Sequence, residues 1–148
     1  VLIDQKNLHR NYWQNINDDK DFMGNSMHPV RFTDNGFFGK TVKVPRNWQP
    51  VVYSHHHQAI GDVAPAFAVT ALSVDGKIVE GIAHKKYPNV FSVQFHPEVS
   101  ALYEASALVK FAPEDTPATL HSMLDKKSMK FHKKYWGHIS ATIRESAK

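Results

Sequence analysis

The dipeptide Asp75-Gly76 constrains the fold of this chain more than any other feature. It stands between two runs rich in β-formers, residues 67–74 and 77–83. A two-residue Asp-Gly loop supplies the positive φ angles of a type I′ turn, so the runs are predicted to pair as an antiparallel hairpin. Period-two alternation surrounds the hairpin. Val30 and Phe32 share one side of a strand that opens at His28, and Val42 and Val44 alternate likewise after Asp34-Asn35-Gly36. Pro45 closes that second strand, because proline cannot donate to a sheet ladder. Residues 51–53 make another extended run, and residues 90–95 read as a buried strand stopped by His96-Pro97-Glu98. Residues 4–27, polar and rich in Asn and Asp, read as loop.

Beyond Glu98 the period becomes helical. Leu102, Ala105, Leu108 and Val109 predict a short helix. Asp115-Thr116-Pro117 reads as a cap with proline at the first helical position. Leu120, Leu124, Phe131, Tyr135 and Ile139 then line one face of a long amphipathic C-terminal helix. Strands followed by helices make this α/β or α+β material, and 148 residues suffice for one modest domain. Early helices to cover both faces of a sheet are missing. With Val1-Leu2-Ile3 in place of an initiator Met, the chain is expected to be a piece of a larger protein.

Charge and cysteine usage narrow the chemistry. The chain has no Cys, which excludes disulfides, thiolate metal sites and a cysteine nucleophile within these residues. Residues 121–148 carry seven Lys and Arg against Asp125 and Glu145, so the net charge of +4 belongs to the C-terminal segment. Its aromatics recur at helical spacing, as expected of a helix with a solvated lysine face, and nucleic acid is not expected as a partner. No apolar run is long enough to span a bilayer, and no membrane partner is expected. A cytoplasmic location is the default expectation.

Two clusters can carry chemistry. A strand delivers His96 to its carboxyl end, where α/β sheets place their active sites. Side chains at i and i+2 of extended backbone share a face, so Glu98 can reach the imidazole, fix its tautomer and stabilise the imidazolium. The plainer reading of Glu98 is a carboxylate favouring a helix N-terminus. The second cluster is Ser54-His55-His56-His57-Gln58. His55 and His57 share a face there, and with His84 or His96 they offer a metal-binding reading. A polar loop that contacts substrate is preferred, and no metal is assigned. His9, His28, His121, His132 and His138 read as structural or exposed, and Glu80 as a strand residue facing polar surroundings.

The order of three motifs is more specific than any one of them. Val52-Tyr53-Ser54-His55-His56-His57-Gln58-Ala59-Ile60 comes first, then Asp75-Gly76 with Val79-Glu80-Gly81-Ile82, then Ser92-Val93-Gln94-Phe95-His96-Pro97-Glu98. Together they resemble the C-terminal half of the class I glutamine amidotransferase-like superfamily, closest to its γ-glutamyl-γ-aminobutyrate hydrolase group. The resemblance covers about residues 28–100.

That resemblance implies an α/β fold: the C-terminal half of a flavodoxin-like domain, with a β-hairpin and a C-terminal amphipathic helix. It implies a Cys-His-Glu triad that hydrolyses a γ-glutamyl amide without a cofactor, in which His96 matches the histidine and Glu98 the acid. Ser54, His56, His57 and Gln58 match a loop near the substrate pocket. The nucleophile elbow, Gly-x-Cys-x-Gly in the superfamily, has no counterpart here. Residues 1–148 are therefore expected to be the C-terminal portion of one hydrolase domain. Its N-terminal half would come as a separate chain or an N-terminal extension. The expected partners are a small γ-glutamyl substrate and that missing half, with oligomerisation left open. Two other readings are a glutaminase subunit that delivers ammonia to a synthase and a non-catalytic His-rich binding protein.

Overall fold

The computed structural model describes residues 2–4, 26–33, 36–56, 58–110, 113–114 and 116–147. Most of the segment read as loop, residues 4–27, lies outside the described residues, as do His9, His57 and Asp115. Nine strands and one α-helix are described: β1 (Leu2–Asp4), β2 (Met27–Phe32), β3 (Val51–Tyr53), β4 (Gln58–Ile60), β5 (Phe67–Ser73), β6 (Val79–His84), β7 (Phe91–Val93), β8 (Leu108–Val109), β9 (Ala118–Thr119) and α1 (Lys126–Ser146). A five-stranded sheet has the order β3-β2-β5-β6-β7, and every described pairing in it is antiparallel. β1 with β4 and β8 with β9 form two smaller antiparallel pairs.

The predicted hairpin is β5–β6, paired from Phe67 opposite His84 to Leu72 opposite Val79, with the register shifting on either side of Ala71. Its loop differs from the expected two-residue turn. Ser73 N donates to Ile78 O at 2.9 Å, which leaves residues 74–77 as the loop. Gly76 alone takes a positive φ, +80°, so the turn is not type I′. The Asp75 carboxylate stabilises this alternative by accepting from Ser73 Oγ at 2.6 Å and Lys77 N at 3.1 Å.

Val42 and Val44 are buried as the alternation requires, yet they lie in no strand. Residues Phe37–Thr41 wind into a single π-helical turn, and Val42 N and Val44 N bond back to the carbonyls of Phe37 and Phe38. Lys43 between them has φ +58°, which breaks an extended ladder. β2 instead pairs with β3 through residues 27–29 and with β5 through residues 30–32.

The last strand is shorter and less buried than expected, because β7 is an edge strand of three residues with Ser92 exposed. The helix predicted from Leu102 to Val109 is a 3₁₀ turn at Ser100–Leu102 followed by β8. Leu108 is exposed, so its place in a helical apolar pattern was coincidental. The terminal helix begins at Lys126 rather than after Asp115, because Asp125 caps it by accepting from Ser128 N at 2.7 Å.

On α1, Ser128, Phe131, His132 and Tyr135 are buried at helical spacing. Phe131 packs among Phe32, Phe38, Phe95 and Tyr135 in the core between helix and sheet. After β7 the chain returns toward the opposite edge of the sheet. Phe95 enters the core, and His96 N donates to Tyr53 O of β3 at 2.8 Å. The sheet thus curls until its two edges approach, and the closure brings the His-Pro-Glu turn beside the loop that follows β3. No helix among the described residues is long and apolar enough to cross a membrane.

Candidate active site

The turn after β7 and the loop after β3 meet in an open cleft of about 650 Å³. His55 and His56 line it on one side and the segment from Ser92 to Glu98 on another, while Tyr135, Trp136 and Ile139 of α1 supply a wall. His96 Nδ1 lies 2.7 Å from Glu98 Oε1. An ionised carboxylate can only accept, so Nδ1 carries the proton and Nε2 is left to exchange protons. Pro97 is buried between two partly exposed side chains, which keeps the backbone fixed while the imidazole faces solvent.

Partial desolvation raises the Glu98 carboxyl, but hydrogen bonds from His96 and from its own backbone N–H outweigh it and hold the group below its usual range. Tyr135, in the cleft wall, is pushed up to about 12 by burial and by the nearby Glu98 charge.

The second cluster divides. His56 is buried and donates from Nδ1 to Gln58 O at 3.0 Å, whereas His55 is exposed, with its ring near Tyr53. Both line the cleft with His96 and Glu98. Ser54 lies beneath it, fully buried, with its hydroxyl 2.7 Å from His28 Nε2 and its N–H bonded to Ser26 O. Gln58 is an exposed residue of β4, paired with Asp4, and is not among the cleft-lining residues. His57 lies outside the described residues. His84, offered as a metal ligand, packs against Phe67 and Tyr87 and accepts from Lys86 N. That end of the hairpin is opposite the Asp75-Gly76 turn. No group of three His, Asp or Glu among the described residues is arranged to hold a metal ion.

Two features escaped the sequence reading. Glu80 does not face polar surroundings: it is fully buried on β6, 3.8 Å from His28 Nε2. A single carboxylate between Val79 and Gly81 in a β-rich run was the available signal. The α1 wall was the other, and Trp136 carried no signal that separates a cleft wall from a helix surface.

A family model described as Peptidase C26 matches residues 3–98, from β1 to Glu98. Protein NtpR of Enterococcus hirae is 47% identical over 51 residues, which are 34% of this chain and 21% of NtpR. A solved structure from Thermoplasma acidophilum, described as part of a GMP synthase, aligns with a TM-score of 0.50 and 15% identity. That alignment covers all of this chain and 52% of the other, and at such identity the likeness is one of fold. The chain therefore spans about half of that structure and matches about a fifth of NtpR.

Proposed function

The chain belongs to the peptidase C26 family, within the class I glutamine amidotransferase-like superfamily, and from this premise we propose that it contributes the His-Glu half of a cysteine hydrolase that cleaves γ-glutamyl amides. The observation that carries the reading is the 2.7 Å contact between His96 Nδ1 and Glu98 Oε1 at an open cleft. A histidine oriented by a carboxylate is the proton-handling part of a nucleophilic triad, and it lacks only its nucleophile.

Residues 1–148 are, in this proposal, the C-terminal portion of one domain whose N-terminal half carries the cysteine. The cysteine sulfur would attack the γ-amide carbonyl, its proton passing to His96 Nε2. The C–N bond breaks as His96 returns that proton to the leaving amine, leaving a γ-glutamyl thioester. Water then attacks the thioester, with His96 taking its proton and passing it to the departing sulfur. Glutamate is released and the thiol restored. Glu98 holds the imidazolium throughout. In this proposal His56, expected from the sequence, and His55, which lines the cleft beside it, contact substrate, and Ser54 supports their loop.

The test is glutamate release from a γ-glutamyl anilide by the full-length protein, or by this chain joined to its cysteine-bearing half. Intact mass under denaturing conditions identifies which of the two is in hand. The expected results are turnover in the complete protein and a loss of at least about 1,000-fold in His96→Ala. Full activity in His96→Ala would overturn the assignment. Turnover of glutamine that appears only with a synthase partner would replace the hydrolase by an ammonia-delivering glutaminase.

A further inference from the structure

The backbone between His96 and Glu98 is held from outside the turn. Pro97 has no N–H, so its carbonyl is the one backbone hydrogen-bonding group that residue offers. Tyr103 Oη donates to that carbonyl, and Trp136 Nε1 approaches it at 3.2 Å while lying 2.9 Å from Tyr103 Oη. On the other side of the turn, His96 N is tied to Tyr53 O. We propose that Tyr103 and Trp136 are positioning residues for the His96–Glu98 pair, acting through the Pro97 carbonyl.

The tyrosine hydroxyl lies closer to Pro97 O than to the His132 ring, which assigns its proton. His132 Nε2 lies 3.2 Å from Val51 O, a pure acceptor, so it carries the ring proton and leaves Nδ1 bare, 3.3 Å from Tyr103 Oη. The single tyrosine proton goes to Pro97 O, and the Trp136 N–H supplies the tyrosine oxygen. The clamp thus runs from Trp136 of α1 through Tyr103 to the turn, while His132, bonded to Val51 O of β3, lies beside it with no proton to share with the tyrosine oxygen.

Three observations favour positioning over ordinary packing. Tyr103 and Trp136 are 38% and 37% exposed, so neither is a core residue, yet both turn their polar atoms onto one carbonyl. Glu98 is largely exposed, and an ion pair in water is too weak to hold an imidazole in one geometry by itself. Swinging the peptide after Pro97 would carry Glu98 away from Nδ1, and the clamp opposes that motion. Finally, both residues lie beyond residue 98, outside the segment matched by the family model, so the match itself assigns them no role.

The test uses Tyr103→Phe, Trp136→Phe and the double variant, each of which keeps an aromatic ring in place. Imidazole ¹⁵N shifts of His96 in the ¹⁵N-labelled chain read the tautomer directly, and the remaining amide spectrum reports folding. The wild type is expected to hold its proton on Nδ1, and the double variant to shift toward a mixture of tautomers. Unchanged His96 shifts in a folded double variant would overturn the proposal, as would a wild type with no tautomer preference. If one variant fails to fold, the other single variant decides by the same criterion.

The catalytic consequence rests on the proposed hydrolase reading: kcat should fall about 10- to 100-fold in Tyr103→Phe, which lies outside the cleft lining, with KM little changed. Absence of activity in the wild type would remove that reading and leave the tautomer measurement to judge the clamp. Lower stability with His96 unchanged would assign the two residues a structural role and overturn the proposal.

Discussion

Glu80 and His28 face each other inside the sheet, 3.8 Å apart, and burial rather than attraction governs both. Desolvation raises the Glu80 carboxyl from 4.5 to about 8. Desolvation, helped by His56 and opposed by a hydrogen bond with Pro29 O, lowers His28 from 6.5 to about 4. At neutral pH the acid is mostly protonated and the imidazole neutral, so the contact is polar and uncharged. The two groups act on stability in opposite senses. Glu80 holds its proton more tightly when folded, so its contribution is complete below 4.5 and is lost as pH rises toward 8. His28 holds its proton less tightly when folded, so its contribution is complete above 6.5 and is lost as pH falls toward 4. Their slopes cancel between 4.5 and 6.5, and above 6.5 Glu80 alone sets the slope. Urea midpoints of the wild type should therefore fall between pH 6.5 and 8 by on the order of 1–2 kcal/mol of stability. Glu80→Gln should flatten that interval, and an unchanged slope would show that another group titrates there. Sequence alone placed His96 and Glu98 two residues apart on extended backbone. It could not show that Glu80 is buried, because burial depends on which face of β6 turns inward.

At the scale of elements, one hydroxyl joins α1 to the sheet. Ser128 Oγ donates to the capping Asp125 carboxylate at 2.6 Å and accepts from Val51 N of β3 at 2.8 Å. Ser128→Ala leaves the Val51 N–H without that acceptor at a part-buried contact, and it weakens the arrangement at the helix N-terminus. The expected cost is about 1–3 kcal/mol, read as a shift of the urea midpoint. A loss below about 0.5 kcal/mol would mean that water replaces the hydroxyl. The terminal helix was legible because Phe131, Tyr135 and Ile139 repeat at helical spacing. Its start was not, because Asp115-Thr116-Pro117 carries an N-terminal signature in sequence, whereas the cap is Asp125, reached by both the N–H and the hydroxyl of Ser128. Val42 and Val44 illustrate the same limit. Alternating burial is satisfied equally by a strand and by a tight turn that points both side chains inward.

At the scale of the whole molecule, the aromatic core holds the helix in the curve of the sheet. Phe131 is fully buried among rings from β2, the π-helical turn, the segment after β7, and its own helix. Phe131→Ala should cost about 3–5 kcal/mol, with loss of the cooperative thermal transition as the checkable outcome. Because the same core carries Phe95, which precedes His96, the cleft is expected to loosen together with the fold. A variant that retained a native transition temperature would show that the core can collapse around the void.

The sequence by itself determined the local content: a hairpin around Asp75-Gly76, a C-terminal amphipathic helix, and a histidine and a glutamate spaced to meet across a proline. These depend on periodicity, turn chemistry and reach between near neighbours, all of which operate over a few residues. Tertiary structure decided the curl that ties His96 N to Tyr53 O, the burial of Glu80 beside His28, and the seating of Tyr103 and Trp136 on Pro97 O. Apart from the Tyr103–Pro97 contact, which spans six residues, each joins residues far apart in the chain through contacts that exist only once the sheet has closed around α1. No local pattern encodes them, because their energy depends on the packed surroundings rather than on neighbouring residues in sequence.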